Sequence, residues 1–181
     1  PCVILHRLVH TSRRAIDWYF VVLSGPSFCL TLAASNDVNM PSVFSLIING
    51  DLPGHFVWSD DICVGFLSIN PITDGHALVV PRTEVDQWTD IAPDNAAHMM
   101  RVSHHIGTAI KAVFSPERIG LMIAGFEVPH THMHVLQLND MSDMSFANAA
   151  TTVDHAELAG FAASIRQQLE AAGHQHVADA P

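Results

Sequence analysis

The most informative stretch of the sequence is residues 128–138, Val-Pro-His130-Thr-His132-Met-His134-Val-Leu-Gln-Leu. Histidines alternate with other residues at a period of two, which is typical of a β-strand. Because successive strand side chains point to opposite faces, we expect His130, His132 and His134 on one face, about 7 Å apart. Three imidazoles in strict alternation are unusual for ordinary packing. The pattern therefore predicts a chemical site.

Around this strand the sequence predicts a mixed set of helices and strands. A short helix is expected over residues 42–48, a central helix from Pro93 and a C-terminal helix over residues 154–172. Further strands are expected at residues 56–58, 62–69, 76–81 and 120–124. The turn Asn70-Pro71 to Asp74-Gly75 is short, so the strands beside it are predicted to be antiparallel. The fold class is α+β.

The chain has 181 residues, of which 49% are hydrophobic and 14% charged, enough for one domain with a full core. Its formal net charge of −10, with eight Lys and Arg, disfavours binding to a nucleic-acid polymer. Cys2, Cys29 and Cys63 are sparse and widely spaced. That usage suits a reducing cytoplasm rather than a disulfide framework.

Residues 1–40 differ from the rest of the chain. Arginines precede an apolar stretch at residues 16–34, but Asp17 and Gly25-Pro26 interrupt it, so it is a poor membrane span. We expect the functional domain to occupy residues 41–140, close behind Met40, and residues 141–181 to form an extension. Residues 1–40 are expected to be an upstream extension of uncertain order. The alternative is a cleaved or anchoring leader.

The histidine face has two functional interpretations. Imidazole binds zinc well, but zinc sites recruit further ligands, and Glu127 and Asp140 are not placed on that face. A neutral imidazole nitrogen can instead attack phosphorus and form a phosphoramidate intermediate, with neighbouring histidines holding its tautomer and the phosphate oxygens.

The run from His130 to Leu136 resembles the signature of the histidine-triad (HIT) family, three histidines separated by single residues. The resemblance extends through residues 41–140 in the family's order. Residues 42–53 look like its N-terminal block, and residues 69–71 with 75–81 look like its second block. Residues 125–136 resemble its third block.

This resemblance implies a HIT-like fold with an antiparallel five-stranded sheet, a homodimer, and a purine nucleotide bound in a cleft. By matching position His132 would be the nucleophile, His134 would contact the phosphate or leaving group, and His130 would orient the nucleophile's ring. His76 matches an additional histidine near the phosphate. The matching nucleotide-binding positions are Phe44, Ile47, Leu52, Ser68, Ile69, Gly125, Glu127 and Val128.

The sequence departs from the family at several of these positions. Ser42 and Ser45 stand where many members have zinc-binding cysteines, so we predict no structural zinc and no cofactor. Ser68 replaces an aspartate that grips the ribose, which weakens the expected sugar contact. Glu127 places a carboxylate near the phosphate, which repels it unless the side chain turns away or takes a proton.

The sequence thus predicts a cytoplasmic nucleotide hydrolase or nucleotidyl transferase that attacks the α-phosphorus of its substrate. A nucleoside phosphoramidate is the first substrate class and a dinucleoside polyphosphate the second. The alternative is a non-catalytic nucleotide-binding or scaffold protein of the same fold. Metal-dependent hydrolysis ranks below both.

Overall fold

The structure, a computed structural model, describes residues 40–179. The predictions for residues 1–39 lie outside the described residues. The helices and strands, in chain order, are α1 (Val43–Ile48), β1 (Phe56–Ser59), β2 (Cys63–Leu67), β3 (Ala77–Pro81), α2 (Pro93–Phe114), β4 (Arg118–Ile123), β5 (Met133–Leu138) and α3 (His155–Ala171). Short 3₁₀ turns are present at Trp88–Asp90, Met141–Asp143 and Phe146–Asn148.

The five strands form one sheet in the order β1-β2-β3-β5-β4, and every neighbouring pair is antiparallel. The predicted α+β fold with a five-stranded antiparallel sheet is confirmed. In the register of β3 and β5, Leu78 lies opposite His134 and Val79 opposite Met133. The histidine strand is therefore an inner strand, held between β3 and β4.

The two faces of the sheet carry two separate apolar clusters. The larger cluster joins α2 and α3 to the sheet residues Val79, Met133 and Val135. The smaller cluster packs Phe44 of α1 against the other face, on Val64, Phe66, Leu78 and Val80. Because side chains alternate along a strand, His134 faces the α1 side together with Leu78. The helices α2 and α3 thus fill the core, and α1 lies on the histidine side.

The helix boundaries follow capping side chains that the sequence supplies. Ser42 caps α1 by accepting a hydrogen bond from the Ser45 amide at 3.0 Å. Asp154 caps α3 in the same way, through the Ala156 amide at 2.8 Å. The predicted span of residues 154–172 corresponds to α3 with its two cap residues. Because the apolar face of α3 lies in the larger cluster, this part of the extension completes the core.

The chain after α3 returns to the sheet and pairs with β1. The Ser59 amide donates to the His176 carbonyl at 2.9 Å, and the Ala178 amide donates to the Val57 carbonyl at 3.3 Å. Trp58 and Val177 form an isolated antiparallel bridge. This C-terminal tail (residues 174–178) covers the outer edge of β1. Within residues 40–179, no helix is long and apolar enough to cross a bilayer.

Candidate active site

The histidine strand is shorter than the sequence predicts. β5 begins at Met133, so His130 and His132 lie in the segment before it, and the predicted continuous strand from Val128 is wrong at its start. The reason is a local turn, in which the His130 amide donates to the Val128 carbonyl at 2.8 Å. The next amide, of Thr131, donates to the Val85 carbonyl at 2.7 Å, in the loop after β3. The rings of His132 and His134 nevertheless lie 4.7 Å apart.

His76, just before β3, fixes the tautomer of His134. The Ile72 amide donates to Nδ1 of His76 at 3.1 Å, so the proton of a neutral His76 ring sits on Nε2. Nε2 of His76 is 3.0 Å from Nδ1 of His134 and donates to it. His134 therefore carries its own proton on Nε2. The turn at residues 70–76 thus makes His134 a hydrogen-bond donor at that nitrogen.

The tautomer of His132 follows from a backbone contact. Its Nδ1 lies 2.8 Å from the carbonyl oxygen of His130, which only accepts, so Nδ1 carries the proton. The Nε2 of His132 consequently has a free lone pair in the neutral ring. A lone pair on one imidazole beside an N–H on the next is the arrangement that nucleophilic attack at phosphorus requires.

The ring of His130 is buried and held on both sides. Its Nε2 lies 2.8 Å from the carbonyl of Pro81, and its Nδ1 lies 2.7 Å from Oγ of Ser42. The carbonyl accepts from Nε2, so Nδ1 accepts from the serine hydroxyl. His130 therefore joins the end of β3 to the N-terminus of α1 and has no ring nitrogen left for a ligand.

Burial keeps all four imidazoles neutral at physiological pH. It lowers the pKa of His76 to about 4, with His132 adding to the effect. It also lowers the pKa of His134 to about 3, with His76 and His132 adding to the effect. The pKa values of His130 and His132 are lowered by burial as well, although hydrogen bonds to carbonyls partly oppose this. A neutral His132 is the form with a nucleophilic lone pair.

A small cavity of about 160 Å³ opens onto the histidines. Its lining includes the predicted residues His132 and His134 and, from the loop before β5, Gly125 and Glu127. Gly125 has a φ of +75°, a left-handed backbone conformation that favours glycine. His132, His134 and Glu127, which are predicted to lie near the phosphate, thus line one cavity. His76 and His130 are not part of the lining, but each hydrogen-bonds to one of the two cavity histidines.

Phe146 also lines the cavity, and the sequence patterns did not indicate it. Its ring packs against His134 with centroids 5.0 Å apart. Ser145 caps the 3₁₀ turn that carries it, so only local turn chemistry, without any sign of proximity to the site, is visible in the sequence. Phe126 also lines the cavity and is 96% exposed.

The predicted nucleotide-binding residues with apolar side chains lie in two different settings. Phe44, Ile47 and Val128 belong to the apolar cluster on the α1 side. Phe44 is buried, and its ring meets that of His132 with centroids 4.9 Å apart. Leu52 and Ile69 are exposed. The structure therefore places some of these residues in packing and others at the surface, and their nucleotide contacts stay predictions.

The predicted ribose position is already engaged in a local turn. The Ser68 hydroxyl accepts a hydrogen bond from the Asn70 amide at 3.1 Å. It keeps its own proton for a ligand, so it offers one contact where a carboxylate would offer several acceptor positions. The predicted weakness of the sugar contact therefore stays a prediction with a structural basis.

The donor set at Ser42 and Ser45 does not fit the zinc that the family resemblance implies. Zinc prefers thiolate, imidazole and carboxylate ligands, and serine hydroxyls are neutral. Ser42 already donates to His130, and the Ser45 hydroxyl donates to Glu84 at 2.5 Å. These hydrogen bonds use the atoms that would have to face a metal ion.

A separate cluster of titratable groups lies where β1, β2 and α2 meet. Its centre is the buried carboxylate of Asp60, which accepts from the Trp58 indole at 2.6 Å and from His98 at 2.7 Å. Its other oxygen accepts from the amides of Ile62 and Cys63, each at 2.8 Å. Because both oxygens are satisfied, this cluster acts as a structural tie between β1, β2 and α2.

Several known proteins are similar to this chain in sequence or in structure. An uncharacterised HIT-like protein of Borreliella burgdorferi is 36% identical over 101 residues, which are 52% of this chain and 73% of that protein. Adenylylsulfatase HINT3 of Arabidopsis thaliana is 28% identical over 107 residues, 56% of this chain and 54% of that protein. The crystal structure of a zinc-bound histidine triad family protein from Mycobacterium smegmatis aligns with a TM-score of 0.63 at 26% identity, covering 74% of this chain and 96% of that one.

The match extends to the family as a whole. The sequence model of the HIT domain family matches residues 49–141, just over half of the chain, and this range contains β1 to β5 and all four candidate catalytic histidines. The chain belongs to the HIT domain family.

Proposed function

We propose that this chain is a nucleotide hydrolase or nucleotidyl transferase in which Nε2 of His132 attacks the α-phosphorus of a nucleoside phosphoramidate. Dinucleoside polyphosphates are the second substrate class. One observation carries the proposal. The hydrogen bonds leave a lone pair on His132 and an N–H on His134, with ring centroids 4.7 Å apart, beside one cavity.

The proposed reaction has two displacements. In the first, the Nε2–P bond forms as the bond from phosphorus to the amine breaks, and the amine leaves with the electron pair and a proton from solvent. His134 donates from Nε2 to a phosphate oxygen and stabilises the charge that builds up there. The nucleotidyl-His132 ring is then cationic, and the His130 carbonyl stabilises its Nδ1–H at 2.8 Å.

The second displacement returns the enzyme to its first state. Water attacks phosphorus, the electron pair of the Nε2–P bond returns to His132, and the water's proton passes to solvent. An acceptor other than water would give transfer instead of hydrolysis. His132 is neutral at the start because burial lowers its pKa, so no deprotonation is needed before attack.

Support for the substrate class comes from the family and from one relative. The Arabidopsis relative is named as an adenylylsulfatase, an enzyme whose substrate carries a nucleotidyl α-phosphorus. We extend only this common chemistry, a purine nucleotide with a leaving group on the α-phosphorus, to the present chain. The net charge of −10 favours such a small ligand over a nucleic-acid polymer.

Trapping the covalent intermediate tests the proposal. The full chain is mixed with a panel of adenosine and guanosine phosphoramidates and dinucleoside polyphosphates, and product release is measured beside denaturing mass spectrometry of the protein. We expect a nucleotide adduct on His132 and turnover of at least one substrate. In His132→Asn both should disappear while the circular dichroism spectrum is retained. His155→Asn, an exposed histidine on α3, serves as the matched control.

The alternative, a non-catalytic nucleotide-binding or scaffold protein, is favoured by one observation. Glu127 lines the cavity and the Ser68 hydroxyl already takes part in a turn, so two expected ligand contacts are weakened. Nucleotide binding by calorimetry, with neither adduct nor turnover across the panel, would establish this alternative. Full activity in His132→Asn would refute the proposed nucleophile.

We also propose that the chain works as a homodimer in the cytoplasm. The outer edge of β4 is an unpaired sheet edge among the described residues, and Leu121 on it is partly exposed. Sedimentation equilibrium should give twice the chain mass, and cell fractionation should recover the protein with the cytosol. A monomer at micromolar concentration, or recovery with membranes, would refute the respective proposal.

A further inference from the structure

Hydrogen bonds connect Glu84 to the candidate active site through Ser42, Ser45 and His130, with the backbone amide of Ser42 as one of the links. Glu84, in the loop after β3, accepts from the Ser45 hydroxyl at 2.5 Å and from the Ser42 amide at 3.0 Å. The Ser42 hydroxyl lies 2.7 Å from Nδ1 of His130. We call these residues the Glu84 network. The cavity lining does not include Glu84, Ser42 or Ser45.

The direction of each hydrogen bond in the Glu84 network is determined by its ends. A carboxylate only accepts, so the Ser45 hydroxyl and the Ser42 amide both donate to Glu84. At the other end the Pro81 carbonyl takes the Nε2 proton of His130, so Nδ1 has to accept, and the Ser42 hydroxyl donates to it. Each serine hydroxyl has then given its one proton to another partner, so the two serine oxygens, 3.3 Å apart, do not hydrogen-bond to each other.

The network reaches the nucleophile through the backbone of His130. His130 is fully buried, and its ring is held at both nitrogens, so the ring contacts help to place its backbone. That carbonyl accepts the Nδ1 proton of His132. Residues 128–132 precede β5 and lie outside its ladder. The His130 carbonyl shares a peptide plane with the Thr131 amide, which donates to the Val85 carbonyl at 2.7 Å, so this bond and the ring contacts of His130 together determine where the carbonyl points.

The Glu84 network also occupies the place where the family resemblance implies a metal, although its residues do not fit zinc. The negative charge is provided by the Glu84 carboxylate, which accepts from the Ser45 hydroxyl and the Ser42 amide, and the Ser42 hydroxyl donates to the neutral His130 ring. Hydrogen bonds to a charged group are stronger than those between neutral groups. Such bonds are strong enough to hold α1 and the loop after β3 in one arrangement without a metal ion.

We propose that Ser42 and Glu84 are positioning residues for the reaction: they fix the ring of His130, and through its carbonyl they hold His132 in the tautomer whose Nε2 attacks phosphorus. Neither residue lines the cavity. The effect on turnover rests on the proposed function, but the effect on the His132 tautomer does not. The two are therefore measured separately.

The tautomers are measured first, without any substrate. Long-range proton–nitrogen spectra of the ¹⁵N-labelled full chain distinguish a protonated ring nitrogen from one with a lone pair. We expect Nε2–H on His130 and Nδ1–H on His132 in the unaltered chain. Ser42→Ala and Glu84→Ala should each give a mixture of tautomers at His132. The same pattern as the unaltered chain in both variants would overturn the proposal.

Conservative variants separate positioning from general loss of stability. Ser42→Thr keeps the hydroxyl, and Glu84→Gln keeps an amide oxygen that accepts from Ser45 and Ser42, so both should restore a single His132 tautomer. Ser103→Ala removes a buried hydroxyl on the opposite side of the sheet and should leave the tautomer unchanged. If Ser42→Ala fails to fold, Glu84→Ala gives the same readout, since it leaves the capping hydroxyl in place.

Kinetics on the same variants complete the test. With a phosphoramidate that the chain turns over, Ser42→Ala and Glu84→Ala should lower kcat about tenfold and leave KM within about twofold, because orientation of the nucleophile is lost and substrate contacts are kept. If the variants alter the His132 tautomer but the unaltered chain turns over no substrate, the proposed function is refuted and the positioning role is retained. If Ser42→Ala and Glu84→Ala change neither kcat nor the His132 tautomer, only the positioning role is refuted.

Discussion

Nε2 of His76 lies 3.0 Å from Nδ1 of His134, and it is the only one of the two nitrogens that carries a proton. His76 receives its orientation from the Ile72 amide, in the turn between β2 and β3. A histidine 58 residues earlier in the sequence thus determines which nitrogen of His134 faces the cavity as a donor. His76 and His134 are the first and the last of the four predicted catalytic histidines in the sequence.

Removing the donor of His76 should impair the reaction without removing any predicted substrate contact of His132. In His76→Phe, Nδ1 of His134 loses its partner, and the ring is free to reverse its tautomer. We expect kcat to fall about tenfold, the equivalent of one lost hydrogen bond of about 1.4 kcal/mol. Steady-state kinetics measure this change, and His76→Gln, which retains a donor, should recover part of the loss. Equal rates in the Phe variant and the unaltered chain would contradict it.

The same two histidines should make stability depend on pH. Burial lowers the pKa of His76 to about 4 and that of His134 to about 3, whereas both titrate near 6.5 in the unfolded chain. Below pH 6.5 the unfolded state therefore binds protons that the folded state does not. Each such proton lowers the free energy of unfolding by ~1.4 kcal/mol per pH unit.

Urea unfolding between pH 7 and pH 4 measures this dependence. We expect the unaltered chain to lose stability steadily as the pH falls from 6.5 toward 4, and His76→Gln to lose it less steeply. A stability that stays constant over this range would show that the two rings are protonated in the folded protein.

Asp60 should control stability at lower pH, by the opposite effect. Burial alone would raise its pKa, but hydrogen bonds from Trp58, Cys63, His98 and Ile62 outweigh burial and lower it to about 2. The stabilisation is complete above about pH 4, the unfolded value, and is lost as the pH falls through 2. The expected contribution at neutral pH is about 2 kcal/mol.

Asp60→Asn tests this contribution. The variant should be less stable than the unaltered chain at pH 7, and the difference should shrink between pH 4 and pH 2. Turnover should be unaffected once the protein is folded, because Asp60 lies outside the cavity lining. A constant difference at all pH values would mean that packing, and not charge, explains the loss.

Gly75 should be intolerant of any side chain. Its φ is +71°, and a Cβ there would overlap the ring of Phe114. Gly75→Ala therefore combines backbone strain with steric overlap, and we expect it to cost about 2–4 kcal/mol. Gly173→Ala is the matched control, because Gly173 has a φ of +83° with open space around it and should cost about 1 kcal/mol. Chemical denaturation measures both, and equal losses would show that Phe114 moves aside.

Much of the fold follows from local patterns in the sequence. The apolar stripe of α2, the caps of α1 and α3, and the branched and aromatic residues of β2 and β3 each predict the element that forms. The histidine strand is the exception. Its period of two continues to Val128, but the Thr131 amide bonds to Val85 in another loop, and that tertiary contact makes the strand begin only at Met133.

The candidate site was only partly predictable for the same physical reason. His76 and the three alternating histidines belong to sequence motifs, so the sequence alone indicates that they act together. Phe146 and Glu84 reach the site or its support through contacts between residues more than ten positions apart, and no local periodicity encodes such contacts. Ser42 was visible as a departure from a family motif, but its bond to His130 spans 88 positions.

The pairing of residues 174–178 with β1 leaves the sheet asymmetric. Among residues 40–179, one border of the sheet is sealed by the protein's own tail, and the border at β4 is the one left for another chain. A sheet with two free borders can add copies without end, as amyloid does. If two copies pair at β4, as proposed above, a closed β1 border limits edge-to-edge growth to those two copies. In the homodimer proposed above, residues 174–178 would keep a pair from adding further copies at the β1 border.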